Sequence, residues 1–250
     1  MHPSGPTLSV ITVCYNGARH LEKTLQSVLG QTYPHIEYWV IDGASTDGSV
    51  DIIERYADRL AGWISEPDKG LYDAMQKGQD RATGDFILFQ NVGDLFYNER
   101  TVENVFANYQ GEDFLYGDTV IINDAGEELG MRVHKRLPRQ LSAASFRWGM
   151  VVGHQAMFVR RSLCGPFRQQ QYPCSSDLDW AIVAARRAQK FKNVHTIVSR
   201  YLFGGNSHVQ RKKCLKERWS ILRKHYGLLT TLSIHLLIAI KFALGGFRIR

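Results

Sequence analysis

The chain has 250 residues, 44% of them hydrophobic and 22% charged; it is long enough to bury a core without disulfide staples, and its balance excludes disordered, collagenous and solenoid architectures. Within a net charge of +7, residues 211–250 contribute ten Lys and Arg against Glu217 alone, while the first 210 residues carry 21 basic and 23 acidic side chains. A slightly acidic body is a poor surface for nucleic acid, whereas a basic and apolar tail suits an anionic membrane surface.

Leu8 to Cys14 is a β-rich run that ends at Tyr15-Asn16-Gly17, where the backbone can turn, and it reads as a first strand. Leu21, Leu25, Val28 and Leu29 then form one helical stripe, closed by Gly30 and Pro34. Ile36 to Ile41 is a second strand, Asp42 to Gly48 is turn chemistry, and Val50, Ile53, Tyr56 and Ala57 mark a second helix. The alternation continues with a strand over 62–65, a helix over 71–81, a strand over 85–90 and a helix over 101–109. Four such units predict an α/β fold with a doubly wound, mostly parallel sheet. Past Asp118 the rhythm changes. Thr119 to Ile122, a turn at 123–126 and Leu129 to Val133 read as a hairpin, so a first half over 1–118 gives way to a second over 119–210, with a tail over 211–250.

Cys14, Cys164, Cys174 and Cys214 form no C-x-x-C pair and have no His at zinc-ligand spacing, which points to reduced thiols. Met1 to Thr7 has no basic start followed by an apolar stretch, so a cytoplasmic chain is expected.

Ligands of open α/β sheets bind outside the carboxyl ends of the strands. The polar residues placed there are Tyr15 and Asn16, Asp42, Glu66 to Lys69, and Asn91-Val-Gly-Asp94. A carboxylate after a strand can accept from a ribose hydroxyl or a base N–H, and one beside a loop can hold a divalent cation against a diphosphate. Neither G-x-G-x-x-G nor G-x-x-x-x-G-K-[ST] occurs, so a dinucleotide fold or a P-loop does not explain the crevice.

The run from Leu8 to Asn16, the loop Val40-Ile-Asp-Gly-Ala-Ser-Thr-Asp-Gly-Ser49, the segment from Ser65 through Asp68-Lys69-Gly70 to Gly78, and Ala82-Thr-Gly-Asp85 resemble the family 2 inverting glycosyltransferases of the GT-A fold. Gly153-His-Gln-Ala-Met157, Ser175-Ser-Asp-Leu-Asp179 and Phe203-Gly-Gly-Asn-Ser207 bring the likeness nearest to bacterial exopolysaccharide and colanic-acid type members. The resemblance implies a nucleotide-sugar-binding half over 1–118 and an acceptor-binding, catalytic half over 119–210. It places Thr12, Tyr15, Asn16, Asp42, Asp68 and Asn91 around a nucleotide sugar, UDP-linked first of all, with Lys69 near the phosphates. It also implies Mg²⁺ or Mn²⁺, but the family's two-acid motif is reduced here to Asn91-Val-Gly-Asp94, which leaves Asp94 as the metal ligand.

Inverting transfer needs a carboxylate base opposite the leaving diphosphate. The resemblance assigns Asp177, with Asp179 as second choice; an N-terminal helix cap is the alternative for Asp177. His154 and Gln155 correspond to a family pair on the acceptor side, and His208 beyond Gly204-Gly205 could reach the diphosphate.

Leu228 to Phe247 is largely apolar and 20 residues long, but Thr230, Thr231, Ser233, His235 and Lys241 interrupt it, which favours a helix lying on the membrane over one spanning it. The expected protein is therefore peripheral to the inner face of the cell membrane, with a saccharide or polyprenyl-diphosphate-linked acceptor. The rival reading is a noncatalytic nucleotide-sugar-binding partner subunit. A nucleotidyltransferase lacks support, since no Gly- and Arg-rich phosphate loop follows the first strand.

Overall fold

The computed structural model describes residues 5–131, 137–204 and 211–243. Its first half is built as the periodicity predicts. Strands β1 (Leu8–Cys14), β2 (Ile36–Asp42), β3 (Gly62–Ser65) and β4 (Phe86–Phe89) alternate with helices α1 (Ala18–Leu29), α2 (Ser49–Glu54) and α3 (Leu71–Arg81). They lie parallel in the order β3-β2-β1-β4. Every residue of β1 is buried, as expected of a central parallel strand with both faces covered. Register sets Cys14 opposite Asp42 and Ile11 opposite Phe89, so the loops that follow β1, β2 and β4 leave the sheet on one edge, as the crossover rule for such sheets requires.

The second half extends the same sheet. β5 (Leu95–Phe96) and α4 (Thr101–Phe106) lead to β6 (Phe114–Ile122), which pairs antiparallel with β7 (Glu128–Met131) and β8 (Met157–Arg160). β8 also pairs antiparallel with β4 and so joins the halves. β6 starts five residues before the hairpin strand that the turn pattern predicts and runs through Asp118, where the two halves were divided. α4 stops at Phe106, short of the expected Tyr109.

The long strand β9 (Phe191–Leu202) has no counterpart among the expected elements. Lys192, Asn193, His195 and Thr196 break its alternation, and irregular pairing with β6 around Tyr116 to Thr119 removes a clean period of two. Its parallel pairing with β6 and antiparallel pairing with β5 complete the order β3-β2-β1-β4-β8-β6-β9-β5.

Helix α5 (Ser176–Arg187) covers one face, tied to α3 by an aromatic stack. Tyr72 stacks on Phe167 at 5.8 Å and Phe167 on Trp180 at 5.5 Å, while the Trp180 indole N–H donates to Gln79 at 2.8 Å. Two C-terminal helices follow, α6 (Arg211–Tyr226) and α7 (Leu228–Ala243). No helix among the described residues is long and apolar enough to cross a membrane.

Candidate active site

The strand-end loops form two groups of side chains. In the first, Asp42 is fully buried and takes the Ser45 amide at 2.9 Å, the Ser65 hydroxyl at 2.7 Å and the Ser45 hydroxyl. Asn16, in the left-handed region at φ 49°, accepts from the Thr46 amide and donates its own amide to Ser45, so it stitches the β1 loop to the β2 loop. Tyr15 is 69% exposed, and its ring and the Asp68 carboxylate both lie over Gly43. A β-carbon at Gly43 would run into Asp68. The result is an open aromatic face beside a carboxylate, above a rigid loop.

Thr12 and Gln155 are buried. Thr12 donates to the Gln90 carbonyl at 2.6 Å and meets the Tyr38 hydroxyl at 2.8 Å, so its hydroxyl serves the sheet rather than the crevice. Lys69 is exposed, its backbone fixed by Asp73 and Gln169. His208 lies outside the described residues.

The second group lies between β4 and α5. His154 Nε2 is 3.2 Å from Asn91 Nδ2, and its Nδ1 is 3.6 Å from Asp177 Oδ2. Asp177 sits in the first turn of α5, past the Ser175 cap position, where the helix dipole favours an anion. Its Oδ1 accepts from the Tyr72 hydroxyl and from the Leu178 amide, each at 2.9 Å. Burial pushes this carboxyl up, but His154, Tyr72 and Leu178 together hold it below the ordinary value. Asp94 is the opposite case: burial raises it to about 7, only partly countered by His154 and the Leu202 amide.

Asp179 points elsewhere. It is 1% exposed and bound by Arg168 at 3.2 Å, Lys224 at 3.0 Å and His225 at 2.7 Å. Three basic side chains on one carboxylate, with Lys224 and His225 both on Oδ1, make it a clamp between α5 and α6.

The Asn91 to Asp94 turn fits a hard cation. The Asp94 carboxylate makes one hydrogen bond among the described residues, from Leu202 at 3.3 Å, and Asn91 Oδ1 is buried without a partner. Gly93 at φ 96° lets the turn close with the Asp94 amide on the Asn91 carbonyl at 2.9 Å. No three His, Cys, Asp or Glu among the described residues could enclose a metal, so an ion held here would draw on phosphate and water, as Mg²⁺ usually does.

The sequence profile of Glycosyl transferase family 2 matches residues 9–165, which takes in the loops after β1, β2 and β4 and His154. The chain belongs to this family. It is 30% identical over 227 residues to a PGL/p-HBAD biosynthesis glycosyltransferase of Mycobacterium bovis (strain BCG / Pasteur 1173P2), covering 82% of this chain and 80% of that one. It is 24% identical over 224 residues to the putative teichuronic acid biosynthesis glycosyltransferase TuaG of Bacillus subtilis (strain 168), covering 88% of each. In fold it is similar to S. aureus TarS 1-349 in complex with UDP-GlcNAc, with a TM-score of 0.66 at 17% identity over 86% of this chain and 65% of that one. A mannosyltransferase from Pyrobaculum calidifontis in complex with GDP-Man and Mn²⁺ gives 0.65 at 19% identity, over 98% and 82%. These likenesses show the GT-A fold that the resemblance implied.

For this family 2 glycosyltransferase, Tyr72 is the site residue that sequence reading missed. It sits inside the motif that identifies the family, but only the fold shows that helix α3 carries it to Asp177. Ser45 and Ser65, which enclose Asp42, were equally hidden, because their partner is set by the pairing of β2 with β3.

Proposed function

We propose that the protein is an inverting glycosyltransferase that moves a sugar from a nucleoside-diphosphate donor, UDP first among the candidates, to a lipid-linked or growing polysaccharide acceptor at the inner face of the cell membrane. The observation that carries this reading is the single imidazole of His154, which bridges Asn91 of the candidate metal turn and Asp177 of the candidate base. On this reading both ends of a displacement reaction share one crevice. The names of the relatives support glycosyl transfer, and the UDP, UDP-GlcNAc and GDP-Man held by the solved neighbours support the donor class.

In this account Tyr15 offers a face to the base, and Asp68 accepts from its edge or from the ribose. Asp94 and the Asn91 amide oxygen would hold Mg²⁺ or Mn²⁺, whose chemistry is to neutralise the departing diphosphate. The acceptor hydroxyl attacks the anomeric carbon from the opposite face. Asp177 Oδ2 takes its proton, since Oδ1 is occupied by Tyr72 and Leu178. A carboxylate held ionised is a weak base at rest, but it becomes competent as the attacking hydroxyl acidifies in the transition state.

The tail supports a membrane surface. Leu228, Leu229, Leu232, Leu236, Leu237 and Ile240 of α7 are exposed, whereas Thr231 and Ile234 are buried against the body. Lys212, Lys213, Lys216 and Arg223 on α6 are exposed as well. Sixteen residues span roughly 24 Å, short of a bilayer core of about 30 Å. An outward apolar ridge with basic neighbours suits an anionic lipid interface.

Release of nucleoside diphosphate from UDP-, GDP- and dTDP-sugars, with Mn²⁺ and a bacterial lipid extract, tests the reading. One donor class should be consumed, and Asp177→Asn should slow turnover by about 10²-fold or more. Undiminished turnover in Asp177→Asn would remove the base from the mechanism.

A further inference from the structure

Beside the candidate base, on the side of the tail, stands a partly buried arginine. Arg218 lies on α6 one turn beyond Cys214, so the two residues share a helix face. That face is turned towards the loop that bears the base: Ser175 Oγ donates to the Cys214 carbonyl at 3.4 Å, and Glu217 Oε2 accepts the Cys174 amide at 2.8 Å. Asp177 and Cys214 are within electrostatic reach of Arg218, and Tyr72 belongs to the same cluster. Burial lowers the guanidinium's pKa, with Asp177 and Cys214 opposing.

Among the described residues, Arg218 nevertheless has no hydrogen-bond or ion-pair partner. It is not needed to neutralise Asp177, which has Tyr72 and Leu178 on Oδ1 and the His154 imidazole 3.6 Å from Oδ2. A guanidinium carries five donors and no acceptor, and leaving them unpaired in a partly desolvated place is costly. The ligand that matches such a fork is a bidentate oxyanion, carboxylate or phosphate.

Position selects between the two phosphates of the reaction. The leaving diphosphate belongs with Asn91 and Asp94, after β4. Arg218 comes instead from α6, where the adjacent Trp219 packs on His235 of α7 at 4.7 Å, and α7 carries the exposed leucines. The helix pair that carries the arginine therefore also carries the apolar ridge.

Building on the transferase reading above, we propose that Arg218 binds a phosphate of the acceptor, and that the acceptor is a glycan carried on a lipid diphosphate. Its sugar hydroxyl meets Asp177, its phosphate meets Arg218, and its lipid leaves along α7.

The test is a titration of the full chain with farnesyl diphosphate, farnesol and inorganic pyrophosphate, with Mn²⁺ and whichever of UDP, GDP or dTDP binds held at saturation. Quenching of tryptophan emission, with Trp219 next to Arg218, gives the signal. Wild type should bind farnesyl diphosphate at least tenfold more tightly than farnesol. Arg218→Gln should lose that preference, and Arg218→Lys, which keeps the charge without the fork, should retain part of it. Lys190→Gln, an exposed basic side chain just before β9, should bind as wild type. Thermal melts confirm folding, since Arg218 has no described partner to lose.

Equal binding of farnesyl diphosphate by wild type and Arg218→Gln would overturn the site. Pyrophosphate binding as tightly as farnesyl diphosphate would overturn the lipid assignment. Failure of all three nucleotides to bind would count against the transferase reading instead, and the farnesyl diphosphate titration without nucleotide would still read Arg218.

Discussion

The Tyr72 hydroxyl donates to Asp177 Oδ1 at 2.9 Å across 105 residues of sequence, and the stack of Tyr72 on Phe167 and Phe167 on Trp180 holds the two side chains in that relation. The bond fixes which carboxylate oxygen is free. Tyr72→Phe keeps the stack and removes the bond, so kcat should fall about tenfold while donor KM stays within a factor of two, because a single neutral-to-charged hydrogen bond contributes ~1.5 kcal/mol or more. Steady-state kinetics check this. A rise in KM at constant kcat would mean that Tyr72 serves binding instead.

How much of this could be read from sequence differs by residue. β1 to β4 were legible because their apolar runs and turn residues are local signals. Asp94 and Asp177 stand in family motifs, so resemblance pointed at them. Asp179, two residues on, carried the same signal, yet the structure turns it into the α5 to α6 clamp. Helical geometry separates neighbours two apart onto different faces, but only the packing of α6 decides which face meets the crevice. β9 was illegible because its irregular pairing and polar residues erase periodicity. Arg218 stood in the sequence as one of many basic residues in a tail, and only the helix face it shares with Cys214 distinguishes it.

The Asp179 clamp should be a stability element with a pH signature. Burial alone would raise its carboxyl, but His225 and Lys224 hold it below the ordinary value. A folded-state value that is depressed adds stability above the ordinary carboxylate range, and that stability is lost as pH falls through the lowered value. Asp179→Asn should therefore cost about 3 kcal/mol near neutrality, the usual result of breaking a buried ion pair. The gap in Tm between wild type and variant should narrow as pH falls below the ordinary carboxylate range. A gap that does not change with pH would contradict the clamp.

The loop after β2 depends on close approach at Gly43. Gly43→Ala places a methyl against the Asp68 carboxylate, so nucleotide affinity should drop roughly tenfold with little change in Tm, as for a displaced polar contact worth ~1.4 kcal/mol. In Gly43→Ala combined with Asp68→Ala, the losses should be less than additive, since both act on one contact. Isothermal titration of the two single variants and the double variant decides it, and full additivity would separate Gly43 from Asp68.

The apolar ridge of α7 predicts surface binding. Leu232 and Leu236 are 48% and 63% exposed, so Leu232→Glu with Leu236→Glu should leave Tm within a few degrees of wild type yet abolish co-sedimentation with vesicles containing phosphatidylglycerol. Undiminished co-sedimentation would take the membrane contact away from α7.

The most direct test of the central claim is equilibrium binding of UDP, GDP and dTDP, with and without Mn²⁺, to wild type and to Asp94→Ala. The account predicts tight binding of one nucleotide that needs both the cation and Asp94, which would fix the donor site and its nucleotide class together. Binding of none of the three, or binding indifferent to both Mn²⁺ and Asp94, would contradict it.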